Sequence, residues 1–176
     1  MTPSASIYST LYRGDYMRSG WLDRAANIVP MLRREWDILE VGAGRGDLGE
    51  HMRALGWRWT TCDETPAGPN VITAALPHLG VSFPYRRFDC TVSIDVLEHL
   101  PPADITAALR DLQWIAPRGV WAVANMSDPH DVDGQTVDLH LTQQPPEWWI
   151  ARITKLGGTA VAHTINCHRF WLEVTW

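Results

Sequence analysis

The chain alternates short apolar runs with segments whose apolar residues recur every three or four positions. The first run, 38–41, enters a glycine-rich turn and then a helical pattern over 48–55. A longer helical pattern covers 103–116. Such a period is typical of an amphipathic helix, whereas a short apolar run bounded by turn residues is typical of a buried strand. Further strands are predicted at 57–62, 71–73, 88–95, 120–125, 159–165 and 168–176, and further helices at 23–34 and 145–156.

This order of elements predicts an α/β fold with a doubly wound sheet of seven strands and helices on both faces. The sheet should be mostly parallel, with one antiparallel strand in a C-terminal hairpin. Residues 64–87 contain several prolines and glycines, which leave room for only a short third strand. Residues 126–144 are predicted to form a long polar loop. At 176 residues, we expect one domain over 1–176.

The turn after the first strand carries the clearest chemical signal, Glu40-x-Gly42-x-Gly44. Glycine permits a tight turn with positive φ and lets a ligand approach the main chain. Dinucleotide-binding turns follow Gly-x-Gly-x-x-Gly, but Asp47 occupies the third glycine position here. A nicotinamide oxidoreductase is therefore disfavoured, and no catalytic Tyr-x-x-x-Lys pair supports one. Glu40 suits a cationic or amine-bearing ligand better than a pyrophosphate.

Acidic residues follow two other predicted strands. Asp63 and Glu64 end the second strand, about twenty residues after the glycines, where a carboxylate can accept both hydroxyl hydrogens of a ribose. Asp95 ends the fourth strand and is followed by Glu98 and His99 before a proline pair. Parallel strands carry their ligands at their carboxyl ends, so these residues and the glycine turn are expected at one edge of the sheet.

These motifs resemble those of the class I S-adenosylmethionine-dependent methyltransferases, which have a Rossmann-like fold. The glycine turn resembles the first motif of that family, and 95–99 resembles its Asp-x-Leu-Glu-His segment. The resemblance implies S-adenosylmethionine as cofactor and an N-terminal lid within 1–20, with Tyr12 and Tyr16 as lid residues. The expected cofactor-binding residues are Glu40, Gly42, Ala43, Gly44, Asp63, Glu64, Asp95, Val96 and Tyr16.

One departure from the family concerns the adenine. Relatives commonly carry an acid after the third strand, but no Asp or Glu occurs between Glu64 and Asp89. The adenine contact is therefore expected from a main-chain group, from Ser82, or not at all.

The resemblance implies methyl transfer to an acceptor that the sequence does not identify, with a small molecule or a sugar hydroxyl favoured. His140 and His99 are the candidate catalytic bases. The alternative is a non-catalytic module that binds S-adenosylmethionine or S-adenosylhomocysteine. The acids and histidines of 126–144 include imidazole and carboxylate groups that metals use, but turn-forming pairs explain most of them, so no metal site is expected.

The composition of the chain limits the classes of binding partner and the cellular compartment. The net charge is −5 and the basic residues are scattered, which makes a nucleic-acid partner unlikely. Three widely spaced cysteines fit a reducing compartment. No leader and no membrane-spanning run is recognised, so the expected location is cytoplasmic. The oligomeric state is open.

Overall fold

The computed structural model describes residues 7, 8, 11, 26–84, 88–132 and 134–176. The strands are β1 (Asp37–Val41), β2 (Arg58–Asp63), β3 (Ile72–Thr73), β4 (Cys90–Ile94), β5 (Arg118–Ala124), β6 (Pro129–Val132), β7 (Gln135–Asp138), β8 (Thr159–Asn166) and β9 (Arg169–Thr175). The helices are α1 (Asp47–Ala54), α2 (Leu79–Ser82), α3 (Ile105–Ile115) and α4 (Pro146–Lys155), with 3-10 turns at Val29–Met31 and Leu97–His99.

Seven of the strands form one sheet in the order β3-β2-β1-β4-β5-β9-β8. The first five are parallel to one another, and β9 is antiparallel to both β5 and β8. The predicted fold class is therefore confirmed. The order reverses direction at β1, so the ends of β1, β2 and β4 meet where doubly wound folds bind ligands.

Two apolar cores cover the two faces of the sheet. Alternate residues of β1 show how: Leu39 packs with α3 and α4 on one face, whereas Ile38 packs with Leu48 and Met52 of α1 on the other. Successive side chains of a strand point to opposite faces, so a continuous apolar run can serve both cores.

Two predicted segments differ in the structure. The helix expected over 23–34 is a helical stretch at 26–28 that passes into the Val29–Met31 3-10 turn and ends at Leu32, because Pro30 lacks the N–H that an α-helix would use. Residues 23–25 of the predicted helix lie outside the described residues. The loop expected over 126–144 contains the antiparallel pair β6–β7, whose turn includes Gly134 with φ +78°.

Candidate functional site

The glycine turn begins where β1 ends and is held against β2. The N–H groups of Gly42 and Ala43 both donate to the carbonyl oxygen of Cys62, over 2.9 and 3.0 Å. Gly42 has φ +76°, and a Cβ there would lie 2.2 Å from Cγ2 of Val96. Gly44 has φ +55°. Position 42 thus requires glycine both for its backbone conformation and for close contact with the segment after β4.

Asp63 joins the end of β2 to this turn. Its Oδ2 accepts a hydrogen bond from the Gly44 N–H over 2.8 Å, and its Oδ1 accepts one from the Thr65 N–H over 2.8 Å. Burial raises the pKa of Asp63, while the N–H groups of Thr65 and Gly44 act in the opposite direction. The carboxylate therefore fixes the shape of the turn, and its remaining lone pairs can still accept hydroxyl hydrogens.

Glu40 lies beneath the turn and is only 6% exposed. Its Oε2 accepts a hydrogen bond from the Trp59 indole over 2.7 Å. Burial raises the pKa of Glu40 to about 7, against the lowering effects of the Trp59 hydrogen bond and of Arg53. A bound cation would favour the ionised form of this carboxyl group.

Gly49 performs a role that the sequence analysis did not assign. It lies within α1, and a Cβ there would be 2.2 Å from Cγ2 of Thr61 and 3.1 Å from Oε2 of Glu40. The close helix–strand packing that dinucleotide-binding proteins obtain from their third glycine is thus obtained here two residues after Asp47. A lone glycine within an amphipathic helix was the available signal.

The segment after β4 brings several charged groups together. Asp95 has φ +54° and forms an ion pair with Arg169, whose Nε lies 3.0 Å from its Oδ1. The fully buried Glu98 accepts a hydrogen bond at Oε1 from the Ala124 N–H over 2.7 Å. Burial, and then the nearby charge of Asp95, raises the pKa of Glu98 to about 8.

The two histidines predicted as bases are in contact. The rings of His99 and His140 meet edge to face, with centroids 4.6 Å apart. Nδ1 of His99 lies 2.9 Å from the Leu139 carbonyl oxygen and 2.5 Å from the Tyr8 hydroxyl. Burial, followed by the neighbouring His140, lowers the pKa of His99 to about 4, although the Leu139 and Asp95 main-chain groups oppose this shift.

A cavity of about 600 Å³ lies beside the glycine turn and the segment after β4. Its wall includes the predicted residues Glu40, Gly42, Ala43, Gly44, Asp63, Glu64, Asp95, Val96 and His99. The structure thus brings the two sequence motifs together around one space. Ligand pockets in proteins typically measure about 300–1,000 Å³.

A family model described as a methyltransferase domain matches residues 13–166. The chain belongs to this methyltransferase domain family. Comparison with curated proteins found no significant match. The recognition of a class I methyltransferase from the sequence is therefore confirmed.

Solved structures with the same fold include several methyltransferases. The 1,6-didemethyltoxoflavin-N1-methyltransferase of Burkholderia thailandensis, bound to 1,6-didemethyltoxoflavin and S-adenosylhomocysteine, is 18% identical with a TM-score of 0.71, over 97% of this chain and 86% of that one. The glycopeptide N-methyltransferase MtfA, complexed with S-adenosylhomocysteine, is 14% identical with a TM-score of 0.69, over 99% and 98%. A DhpI-SAM-HEP complex is 15% identical with a TM-score of 0.69, over 98% and 94%.

Within this methyltransferase domain, two predicted residues do not contribute to the described cavity wall. His140 is not among the described residues that line the cavity; it is 7% exposed and its Nδ1 lies 2.5 Å from the Met126 carbonyl oxygen. Ser82 donates to the carbonyl oxygen of Thr73 over 3.2 Å at an exposed position. Tyr16, with its neighbour Tyr12, lies outside the described residues.

The cavity wall also includes residues that the sequence analysis missed. Tyr8 lines the cavity and contacts the ring of His99. The loop after β3 contributes the run Ala74, Ala75, Leu76, Pro77 and His78. This loop lies in the proline- and glycine-containing segment 64–87, which has no Asp or Glu after Glu64. None of the helices in the described part of the chain is both long and apolar enough to cross a membrane.

Proposed function

We propose that this methyltransferase domain transfers the sulfonium methyl group of S-adenosylmethionine to a small molecule or a sugar hydroxyl. The observation that carries the proposal is a cavity of about 600 Å³ whose wall includes both the glycine turn and the segment after β4. In this proposal the glycine turn holds the cofactor and the segment after β4 faces the methyl group. The cavity can therefore hold the cofactor and the acceptor in the alignment that a reaction between two substrates needs.

The cofactor is assigned to this cavity by matching each of its functional groups to residues of the wall. Its ammonium group pairs with Glu40, and its carboxylate lies against the main chain at Gly42, Ala43 and Gly44. Its ribose hydroxyls donate to Asp63, next to Glu64. Main-chain groups of the loop 74–78 hold the adenine in place of the missing acid, and Asp95 and Val96 lie beside the methyl group. Tyr16 is assigned to the lid from sequence alone.

The reaction is a single displacement. A lone pair of the acceptor attacks the methyl carbon, the carbon–sulfur bond breaks, and its electron pair stays on sulfur as the thioether of S-adenosylhomocysteine. The acceptor then loses its proton to solvent water. Alignment of the two reactants can lower the barrier by roughly 7–11 kcal/mol. With a pKa of about 4, His99 is a weak proton acceptor, so alignment carries more of the proposed catalysis than proton removal.

Two of the structural neighbours are named for the acceptors that they methylate. One is an N1-methyltransferase solved with 1,6-didemethyltoxoflavin, and another is a glycopeptide N-methyltransferase. The structural likeness to these proteins supports the fold. Because the sequence identity is low, the acceptor of this chain must be found by experiment.

The cofactor assignment is tested by Asp63→Ala. Loss of a hydrogen bond to a charged group is worth about 1.5–3 kcal/mol, so we expect S-adenosylmethionine to bind roughly 10- to 100-fold more weakly in calorimetry. Glu50→Ala is the matched control, because Glu50 is an exposed acid on α1. Equal affinity in Asp63→Ala and the control would refute the site.

Turnover is tested with the same proteins. S-adenosylhomocysteine should accumulate when small-molecule acceptors with hydroxyl or amine groups are supplied, and accumulation should fall in Asp63→Ala. Cofactor binding with no product from any acceptor would favour the non-catalytic binding module.

A further inference from the structure

Three side chains from two separate segments converge behind the cavity wall. Glu98 and His99 belong to the 3-10 turn after β4, and His140 follows β7. One carboxylate oxygen and one nitrogen of each imidazole lie within 4.8 Å of one another. Sequence patterns could not show this set, because about forty residues separate its two parts.

Only one of the two carboxylate oxygens of Glu98 has a hydrogen-bond partner among the described residues. Its Oε1 accepts the Ala124 N–H, whereas its buried Oε2 has no hydrogen-bond partner among the described residues. A buried polar atom without a partner is costly, and such atoms in native proteins usually have a further ligand such as water or an ion.

The imidazoles can also offer lone pairs. A carbonyl oxygen only accepts hydrogen bonds, so the contact between Nδ1 of His140 and the Met126 carbonyl places the proton on Nδ1 and leaves the lone pair on Nε2. Neutral His99 likewise retains a lone pair on one of its ring nitrogens. Histidines that bind metals usually donate their other N–H to a carbonyl or carboxylate, as His140 does here.

The two segments are fixed against each other by main-chain contacts. The Thr142 N–H donates to the Glu98 carbonyl oxygen over 2.8 Å. The Thr142 hydroxyl donates to the Leu100 carbonyl oxygen over 2.6 Å. His99 contacts the Leu139 carbonyl in the same region. The Glu98 carboxylate and the two imidazoles are therefore positioned before a ligand binds, which lowers the entropy cost of ligand binding.

We propose that Glu98, His99 and His140 bind one divalent transition-metal ion at the wall of the cavity. Two imidazoles and a carboxylate suit Zn²⁺, Co²⁺ or Mn²⁺. Because His99 also lines the cavity, the ion would lie beside this cavity. An acceptor oxygen that reached it would be easier to deprotonate.

Metal titration of the untagged full chain tests this site. We expect one equivalent of Zn²⁺ by calorimetry, and Co²⁺ should give the visible absorption of a protein-bound ion. His140→Gln and Glu98→Gln should each weaken binding at least 10-fold and remove the Co²⁺ spectrum. His163→Gln is the matched control, since His163 is exposed on β8 and should leave both signals unchanged.

Folding and function are monitored separately. His140→Gln should unfold cooperatively and still bind S-adenosylmethionine, because His140 is not among the described residues lining the cavity. Wild-type protein that binds no metal, or His140→Gln that binds it as tightly as the control, would overturn the metal site. Metal binding without cofactor binding would instead refute the proposed function and leave this site standing.

Discussion

At the scale of single residues, the site depends on carboxyl groups that the fold removes from water. Glu40 illustrates the conflict, because it is buried, yet its proposed partner is a cation that arrives only with the cofactor. Burial raises its pKa from 4.5 to about 7. Between these values the folded chain retains a proton that the unfolded chain has lost. The contribution of Glu40 to the stability of the cofactor-free protein is therefore greatest at low pH and is lost as the pH rises from about 4.5 to 7.

Glu40→Gln should reverse that loss. The pKa difference corresponds to roughly 3 kcal/mol above pH 7, and a glutamine oxygen can still accept the Trp59 indole hydrogen. We expect the cofactor-free variant to gain about 1–3 kcal/mol in free energy of unfolding at pH 8 and little at pH 4.5, measured with urea. Cofactor affinity should fall at the same time, since the charge that pairs with the ammonium group is gone.

Glu50→Gln provides the comparison, because Glu50 is an exposed carboxylate on α1. A pH-independent change in Glu40→Gln, or a gain as large in Glu50→Gln, would show that burial of Glu40 does not set the pH dependence.

At the scale of elements, the packing of α1 on β2 depends on Gly49. A Cβ at this position would overlap Cγ2 of Thr61 at 2.2 Å. Overpacking costs typically about 1–3 kcal/mol, whereas Gly→Ala in a helix gains about 0.5–1 kcal/mol. Gly49→Ala should therefore lower the free energy of unfolding by about 1–2 kcal/mol and weaken cofactor binding, because Glu40 lies 3.1 Å from the added carbon.

Gly80→Ala tests whether this result is specific. Gly80 lies in α2, and a Cβ there would meet its nearest neighbours, Trp114 and Asp111, at 3.8 and 3.9 Å. These are ordinary contacts, so the variant should be as stable as the parent or slightly more so. Equal destabilisation of the two variants in urea would argue against close helix–strand packing at Gly49.

Elements that are driven by burial could be predicted from the sequence. The apolar run 38–41 became Asp37–Val41, and the helical pattern 103–116 became Ile105–Ile115. The β6–β7 hairpin could not be predicted, because its strands carry mostly exposed or half-buried polar residues and show no clear alternation. Hydrogen bonds from Ser127, Asp128, His140 and Gln143 to the Asp138 carboxylate organise this region instead.

The same distinction applies to the site. Glu40, Gly42, Asp63 and Asp95 could be predicted, because strand ends in a doubly wound sheet share one edge. The wall at 74–78 consists of a loop whose position depends on tertiary structure, and no residue pattern marks it. The contact between His99 and His140 likewise depends on how the segment after β7 folds back over the 3-10 turn.

At the scale of the whole molecule, the cavity joins parts of the chain that are far apart in sequence. Its wall takes residues from the ends of β1, β2 and β4, from the loop after β3, and from Tyr8 near the N-terminus. These parts come together only in the folded chain. A ligand that fills the cavity therefore stabilises the fold as a whole, by an amount set by its concentration relative to its dissociation constant.

Thermal unfolding should distinguish S-adenosylmethionine from nicotinamide dinucleotides as the ligand of this cavity. At one hundred times the dissociation constant, a ligand adds about 2.7 kcal/mol, which corresponds to roughly 5–11 °C in a chain of this size. We expect S-adenosylmethionine and S-adenosylhomocysteine to raise the melting temperature by this amount. Nicotinamide dinucleotides should have little effect, because Asp47 replaces the glycine of their turn and Glu40 repels a pyrophosphate. A comparable shift with NAD would mean that the cavity selects for adenosine alone, and the pairing of Glu40 with an ammonium group would then be wrong.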